Sequence, residues 1–402
     1  MNLFGKQRLM KRFGWAACLL SMLLLTYSAQ ASSGRSSSSS TGMPVRDSCV
    51  LIDNDYDIDD MMAIPLVIGN RYVAAIIQSE GYTLPEQSAP AIHALVNNLP
   101  DQPNSRQIPI IVGAKQSPIR DTASWPWVPF FRAMMNHSNA LLQVAPTPWQ
   151  TDPAFAQKVV DSVANCKNVS VLIIGTYTSF IKYSPLIRDK IDQVVVMGQP
   201  IGDDSRTPGR ESFNCSYDLP ACETAMIQLQ ALNTYFVDIP RDNGEEANLP
   251  VGSCLGLTPS PNCYNPSAEM VMGGGGSPGL LDEGLAGRLK RALIDPLNCN
   301  NRFTSGLPVI ASVPQAQCSA LSTWVPANVA AGPGGEMLLW DQTAALFLLR
   351  PDAFSLYFPP NNPALGGKHW EPTLVNNSHS QTAQYLRRLW TEYTNNAARP
   401  RD

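Results

Sequence analysis

Histidine is scarce in this chain and scattered where it occurs. Of 402 residues only four are histidine, at His93, His137, His369 and His379, and no two of them share a metal-ligand spacing. No C-x-x-C pair is present either, so the ligand spacings of structural zinc sites are missing. No run of basic residues follows the first twelve positions, and the formal net charge is −4. A chain of that charge, without a basic patch in its sequence, is a poor partner for nucleic acid or an anionic lipid surface. Beyond the N-terminus no segment approaches the roughly 20 consecutive apolar residues that a membrane-spanning helix needs. No internal repeat is visible, which removes the stacked-repeat architectures.

The N-terminus carries a different signal. Lys6, Arg8, Lys11 and Arg12 precede an apolar stretch, residues 13–27, and Ala29-Gln30-Ala31 forms a small-x-small exit. This order of basic head, short apolar run and small residues predicts a secretory signal peptide over 1–31. No lipobox precedes Cys18. Cleavage near Ala31 removes four positive charges and no acid, taking the formal charge from −4 to −8. Residues 32–47 are Ser-rich and read as a disordered tether. The expected product is an exported, periplasmic or secreted protein with no membrane contact once the leader is gone. Eight of the nine cysteines remain: Cys49, Cys166, Cys215, Cys222, Cys254, Cys263, Cys299 and Cys318. An even number in an exported chain predicts disulfides, with buried free thiols as the other reading. Spacing does not dictate the pairing, although Cys215 with Cys222 and Cys254 with Cys263 close the shortest loops.

From Ser48 onward, short apolar runs alternate with stretches of helical character. Strands are expected at 49–52, 72–78, 108–112, 169–174, 191–197 and 234–239, and helices at 61–68, 85–96, 153–165, 337–349 and 381–393, with Pro65 distorting the first. Strands bounded by helices imply crossover connections. The predicted fold is α/β: an open, mainly parallel sheet with helices on both faces, in one domain over 48–397. Residues of about 240–335 are rich in Gly, Pro, Asn and Cys and read as a long, disulfide-pinned insertion, with one helix near 280–293.

The most informative stretch is Asp53-Asn54-Asp55-Tyr56-Asp57-Ile58-Asp59-Asp60, five carboxylates in eight residues with no basic residue among them. It follows a predicted buried strand and opens a helix, so it lies at a strand's carboxyl end, where open α/β sheets bind their ligands. Helix capping by Asp57 and Asp60 accounts for two of the five. Asp53 and Asp55 need another explanation, because carboxylates crowded at one point repel unless a cation sits among them. A hard divalent ion, Ca²⁺ or Mg²⁺, is the simplest counter-charge. An EF-hand is excluded, since its sixth and twelfth positions would be Ile58 and Ile64. A phosphatase with Asp53 as nucleophile remains open on the Asp-x-Asp pattern alone.

The pattern Asp53-x-Asp55-x-x-x-Asp59-Asp60 after an apolar strand resembles the N-terminal signature of the inosine-uridine-preferring nucleoside hydrolases, D-T-D-P-G-x-D-D. Further segments follow in that family's order: Gly81, the strand ending at Gly113, Gly175-Thr176-Tyr177-Thr178-Ser179, the strand ending at Gly198, Phe213-Asn214 with Asp218, and Leu339-Trp340-Asp341. The resemblance implies a Ca²⁺ site with Asp55, Asp60 and Asp341 as carboxylate ligands and Thr178 contributing its backbone carbonyl. It implies Asp55 as the base that activates the attacking water, and Asp59 and Asn214 as holders of ribose hydroxyls. The implied activity is hydrolysis of the N-glycosidic bond of ribonucleosides or related N-ribosides, and the implied assembly a homo-dimer or homo-tetramer.

Four positions depart from the family. Trp340 stands where it commonly has His, Tyr82 where it has a ribose-contacting Asn, Ser212 where it has Glu, and Asp57 where it has Gly. Trp340 and Tyr82 remain substrate-side candidates through ring stacking, and tryptophan cannot donate the proton a histidine would. The departures leave room for a nucleoside-binding protein that keeps the metal and has lost turnover. The aromatic stretch 125–131 reads either as a lid or as ordinary packing.

Overall fold

The computed structural model describes residues 45–56, 58–81, 83–97, 99, 108–114, 152–198, 213–237, 341–357, 368–377 and 379–397. The leader, residues 32–44 of the expected tether, the aromatic stretch 125–131 and the 240–335 insertion lie outside them, while Arg46 and Asp47 at the tether's end already belong to the first strand.

Among the described residues eight strands form one sheet: β1 (Arg46–Asn54), β2 (Val73–Gln78), β3 (Ile110–Val112), β4 (Cys166–Ile173), β5 (Ile191–Met197), β6 (Thr234–Val237), β7 (Phe354–Tyr357) and β8 (Lys368–Pro372). Their order is β3-β2-β1-β4-β5-β6-β8-β7. All neighbours pair parallel except β7 and β8, which form an antiparallel edge pair. The helices are α1 (Ile58–Ile68), α2 (Pro85–Asn97), α3 (Phe155–Ser162), α4 (Phe180–Ile187), α5 (Phe213–Ser216), α6 (Leu219–Gln230), α7 (Asp341–Leu349) and α8 (His379–Asn396).

Strand alternation explains how the sheet is covered. On β1, Val50 and Ile52 belong to one apolar cluster, while Cys49 and Leu51 belong to the other. The first cluster takes in α1, α2, α7 and α8, through residues such as Met62, Ile92, Phe347 and Trp390. The second takes in α3, α4 and α6, through Val159, Phe180 and Met226. Helices therefore lie on both faces, and strands buried on both sides read as continuous apolar runs. The parallel sheet expected from the alternating pattern is the sheet observed. Helix α1 runs on across Pro65, which lies inside it.

Strand order also locates the ligand-binding edge. From β1 the chain proceeds outward to β2 and β3, then returns to place β4 on the other side of β1. That reversal makes the crevice beyond the carboxyl ends of β1 and β4 the topological switch point, where open α/β sheets bind their ligands.

Two disulfides join the described cysteines, Cys49 to Cys166 and Cys215 to Cys222. The second is one of the two short loops expected to close most easily. The first staples the adjacent strands β1 and β4 across a sequence separation of 117 residues. Closing so long a loop restricts the unfolded chain, so a Cys49→Ala/Cys166→Ala variant is expected to lose about 2–4 kcal/mol of stability. Urea denaturation of the oxidised proteins measures this, and an unchanged midpoint would show that the bridge contributes nothing.

Candidate active site

The carboxyl end of β1 holds the acidic loop, and the loops after β2 and β4 enclose it. Asp53, Asn54, Asp55, Asp59 and Asp60 are all buried. The Ile174 amide donates to the Asp53 carbonyl at 2.8 Å, and the Ser79 amide to the Asn54 carbonyl at 2.8 Å. Asn54 turns its side-chain amide back to the Ile77 carbonyl at 2.8 Å. Thr83 grips Asp55 from outside, with its amide 3.3 Å and its hydroxyl 2.7 Å from the Asp55 carbonyl.

Two glycines permit this enclosure by having no side chain. A Cβ on Gly81 would stand 2.0 Å from Asp55 Oδ2 and 2.6 Å from its Cβ. A Cβ on Gly175 would stand 2.6 Å from the Asn54 carbonyl carbon and 2.6 Å from the Asp55 nitrogen. Both glycines belong to segments that the sequence aligned with the acidic loop.

Asp53 is fully buried. Its Oδ1 accepts from the Ser79 hydroxyl at 2.6 Å, and Ser79 Oγ lies 2.7 Å from Ser179 Oγ. Ser179 Oγ in turn accepts from the Ala114 amide at 3.0 Å. Burial pushes Asp53 up to about 7, against the lowering effect of Ser79 and of the neighbouring Tyr183.

Tyr56 follows Asp55 with φ at 52°, the left-handed region that costs a side-chain-bearing residue about 1–2 kcal/mol. It is wholly buried, and burial together with the charge of Asp60 holds its hydroxyl protonated well above the usual tyrosine range. Asp59 and Asp60 lie in the first turn of α1.

The far end of the sequence completes the cluster. Asp341, the first residue of α7, donates its amide to Asp59 Oδ2 at 3.1 Å across a separation of 282 residues. Asp59 thus caps α7, and Asp341 is buried against the acidic loop. Thr178 lies in the turn after β4, its hydroxyl donating to Asp218 Oδ2 at 2.7 Å. Asn214 on α5 sends its side-chain amide to the Ile174 carbonyl at 3.3 Å. Asp55, Asp59, Asp60, Thr178, Asn214 and Asp341 are therefore all placed by the loops or helices around one edge of the sheet. Trp340, Tyr82, Asp57 and Ser212 lie outside the described residues.

One carboxylate in this region was not singled out from sequence. Glu80, 1% exposed, lies two residues beyond the end of β2. Its Oε1 accepts from the Tyr217 hydroxyl at 2.9 Å and its carbonyl from the Thr176 hydroxyl at 2.8 Å. Its position at a strand's carboxyl end, the same criterion that marks Asp53 and Asp55, was the available signal.

The described sheet has close counterparts among solved structures. The purine-preferring ribonucleoside hydrolase of Gardnerella vaginalis superposes with a TM-score of 0.51 at 14% identity, covering 86% of this chain and 99% of that one. The inosine-uridine-preferring nucleoside hydrolase of Bacillus anthracis gives 0.50 at 13% identity, covering 86% and 100%. A plant nucleoside hydrolase gives 0.51 at 14%, covering 85% and 98%. The fold is that of the nucleoside hydrolases. At the level of fold, this bears out the resemblance read from the acidic loop. No family model matches the chain, and no curated protein does.

Within this nucleoside hydrolase fold the donor chemistry around the acidic loop fits a hard cation. Asp55, Asp60 and Asp341 offer carboxylate oxygens and Thr178 a carbonyl, the ligand types that calcium prefers. Asp53 Oδ2 and Asn54 Oδ1, beside them, are buried oxygens with no hydrogen-bond partner among the described residues. Among the described residues, no three His, Cys, Asp or Glu side chains are gathered into a ready-made metal cage.

Proposed function

We propose that the protein is a calcium-dependent hydrolase that cleaves the N-glycosidic bond of ribonucleosides or related N-ribosides. The observation that carries this reading is the acidic loop at the β1–β4 switch point of a nucleoside hydrolase fold, with Asp341 brought against Asp59 from the far end of the chain. Asp55, Asp60, Asp341 and the Thr178 carbonyl would hold the calcium, water and ribose hydroxyls completing about 6–8 oxygen ligands.

When bound, calcium supplies orientation and acidification of the attacking water. Asp55 accepts that water's proton at a carboxylate oxygen, and its burial keeps bulk water from competing for the role. The surrounding carboxylates stabilise the positive charge that builds on the ribose as the bond to the base breaks. Asp59 and Asn214 orient the sugar through its hydroxyls. Trp340 and Tyr82 supply aromatic surface on the substrate side.

The setting proposed is outside the cytoplasm. The leader-like N-terminus supports this, as do the two disulfides, which persist in oxidising compartments.

The departures at Trp340, Tyr82 and Ser212 favour a second reading, a nucleoside-binding protein that retains the metal without turnover. One experiment separates the two. The oxidised protein is incubated with purine, pyrimidine and nicotinamide ribosides, with calcium and with a chelator, while released base and reducing sugar are followed. Calcium-dependent release of both is the expected result. Tight riboside binding with no release would replace the hydrolase with the binding protein.

A further inference from the structure

The corner between α5 and α6 touches the loops after β2 and β4, which enclose the candidate metal site. Tyr217 reaches Glu80 in the loop after β2, at 2.9 Å. Asp218 accepts from the Thr178 hydroxyl in the turn after β4 with Oδ2, at 2.7 Å, and caps α6 through Oδ1 and the Ala221 amide at 3.3 Å. Asn214, at the other end of the corner, reaches the Ile174 carbonyl. The Cys215–Cys222 disulfide closes the corner around Tyr217 and Asp218, with seven residues of separation. Both of its cysteines are fully buried, and the Phe213 and Tyr217 rings pack with centroids 5.3 Å apart.

The route from this corner to Asp55 is short. Glu80 is anchored twice, by Tyr217 at its carboxylate and by Thr176 at its carbonyl. The next residue, Gly81, lies against the Asp55 carboxylate, and its amide donates to the Thr83 carbonyl at 3.3 Å. Thr83 then returns to hold the Asp55 carbonyl. Loop 79–83 is thus a clasp around Asp55 whose outer end is tied to the corner. The same corner sets Thr178 through Asp218.

We infer that the disulfide-closed corner of residues 215–222 is the positioning element of the candidate calcium site, Tyr217 acting through Glu80 on Asp55 and Asp218 acting on Thr178. The inference rests on Asp55 and Thr178 being calcium ligands. It adds that their geometry is imposed by groups that never touch the ion. Loss of supporting contacts of this kind typically costs about 10–100-fold in metal affinity.

Calcium titration calorimetry on the oxidised full chain, below its melting range, tests this without relying on activity. Tyr217→Phe keeps the ring and loses only the hydroxyl. Cys215→Ser/Cys222→Ser opens the corner. Each is expected to raise the calcium dissociation constant about tenfold or more. Combined, they are expected to give less than the product of the two effects, since both act through one element. Cys49→Ala/Cys166→Ala is the control: it removes a staple at the opposite end of β1 and β4, so melting falls while the calcium constant stays within about twofold. A wild-type constant in both Tyr217→Phe and the opened corner overturns the inference and leaves the metal site standing. Absence of calcium binding by the wild-type chain overturns the metal site and the inference with it.

Discussion

Asp55→Asn is expected to reduce riboside cleavage by about 10³-fold or more while the protein still folds. Two losses combine in this substitution. An amide cannot take a proton from water, and general-base removal alone costs about 10²–10⁴-fold. An amide also contributes one neutral oxygen where a carboxylate contributed charge, so calcium affinity falls. Folding should survive because Asp and Asn have the same shape. The Asp55 backbone contacts to Thr83 do not involve the carboxylate. Removing one negative charge from a crowded loop also relieves repulsion in the calcium-free protein. Asp60→Asn separates the two losses, since Asp60 is assigned as a ligand alone. Saturating calcium should restore much of the Asp60→Asn rate and leave Asp55→Asn inactive. Equal rescue of both variants would remove Asp55 from the base role. Wild-type turnover by Asp55→Asn, with no added calcium required, would remove the acidic loop from the chemistry altogether.

The candidate site was legible in the sequence because its strongest signals are local. Asp53, Asp55, Asp59 and Asp60 lie within eight residues at the end of one apolar strand, and the penalty of crowding them is visible without a structure. Strand β5 is found at 191–197, as expected, because its buried Val194–Val196 run reads as a continuous apolar stretch. Elements whose pattern is set by tertiary neighbours were harder to see. Helix α4 is eight residues long with Pro185 inside it, and α6 opens on Leu219-Pro220, so neither shows a clean helical period. Strands β7 and β8 are four and five residues long, and β8 reads Lys-His-Trp-Glu-Pro, with little alternation. The Glu80–Tyr217 contact spans 137 residues and the Asp59–Asp341 contact 282. Nothing local marks such partners. Asp341 was reached only through the family resemblance, and Glu80 was passed over beside the more acidic loop.

Gly175→Ala is expected to destabilise the protein by on the order of 3 kcal/mol, the larger stability effect of the two glycines that enclose Asp55. The added methyl would fall 2.6 Å from the Asn54 carbonyl carbon and the Asp55 nitrogen, and 3.0 Å from the Asn54 Cα. These are backbone atoms of β1 and its loop. They cannot turn aside as a side chain does, because β1 is held by parallel pairing to β2 and β4. Relief requires the β4 loop to separate from the acidic loop, which breaks the Ile174–Asp53 bond of 2.8 Å. Gly81→Ala differs in kind, since the obstructing atoms belong to the Asp55 side chain. The carboxylate must swing away and the Asp55 Cβ, 2.6 Å from the added methyl, must shift as well, so the substitution costs about 1–3 kcal/mol and takes Asp55 from the position from which it would bind calcium. The two variants should therefore separate on two axes. Gly175→Ala should show the larger fall in melting temperature, and Gly81→Ala a loss of calcium affinity of roughly 10–100-fold at a smaller fall. Thermal unfolding with and without calcium reads both axes, because a ligand that binds only the folded state raises the melting temperature by an amount that grows with the logarithm of its affinity. If calcium stabilises Gly81→Ala as much as it stabilises the wild type, Asp55 is not a ligand.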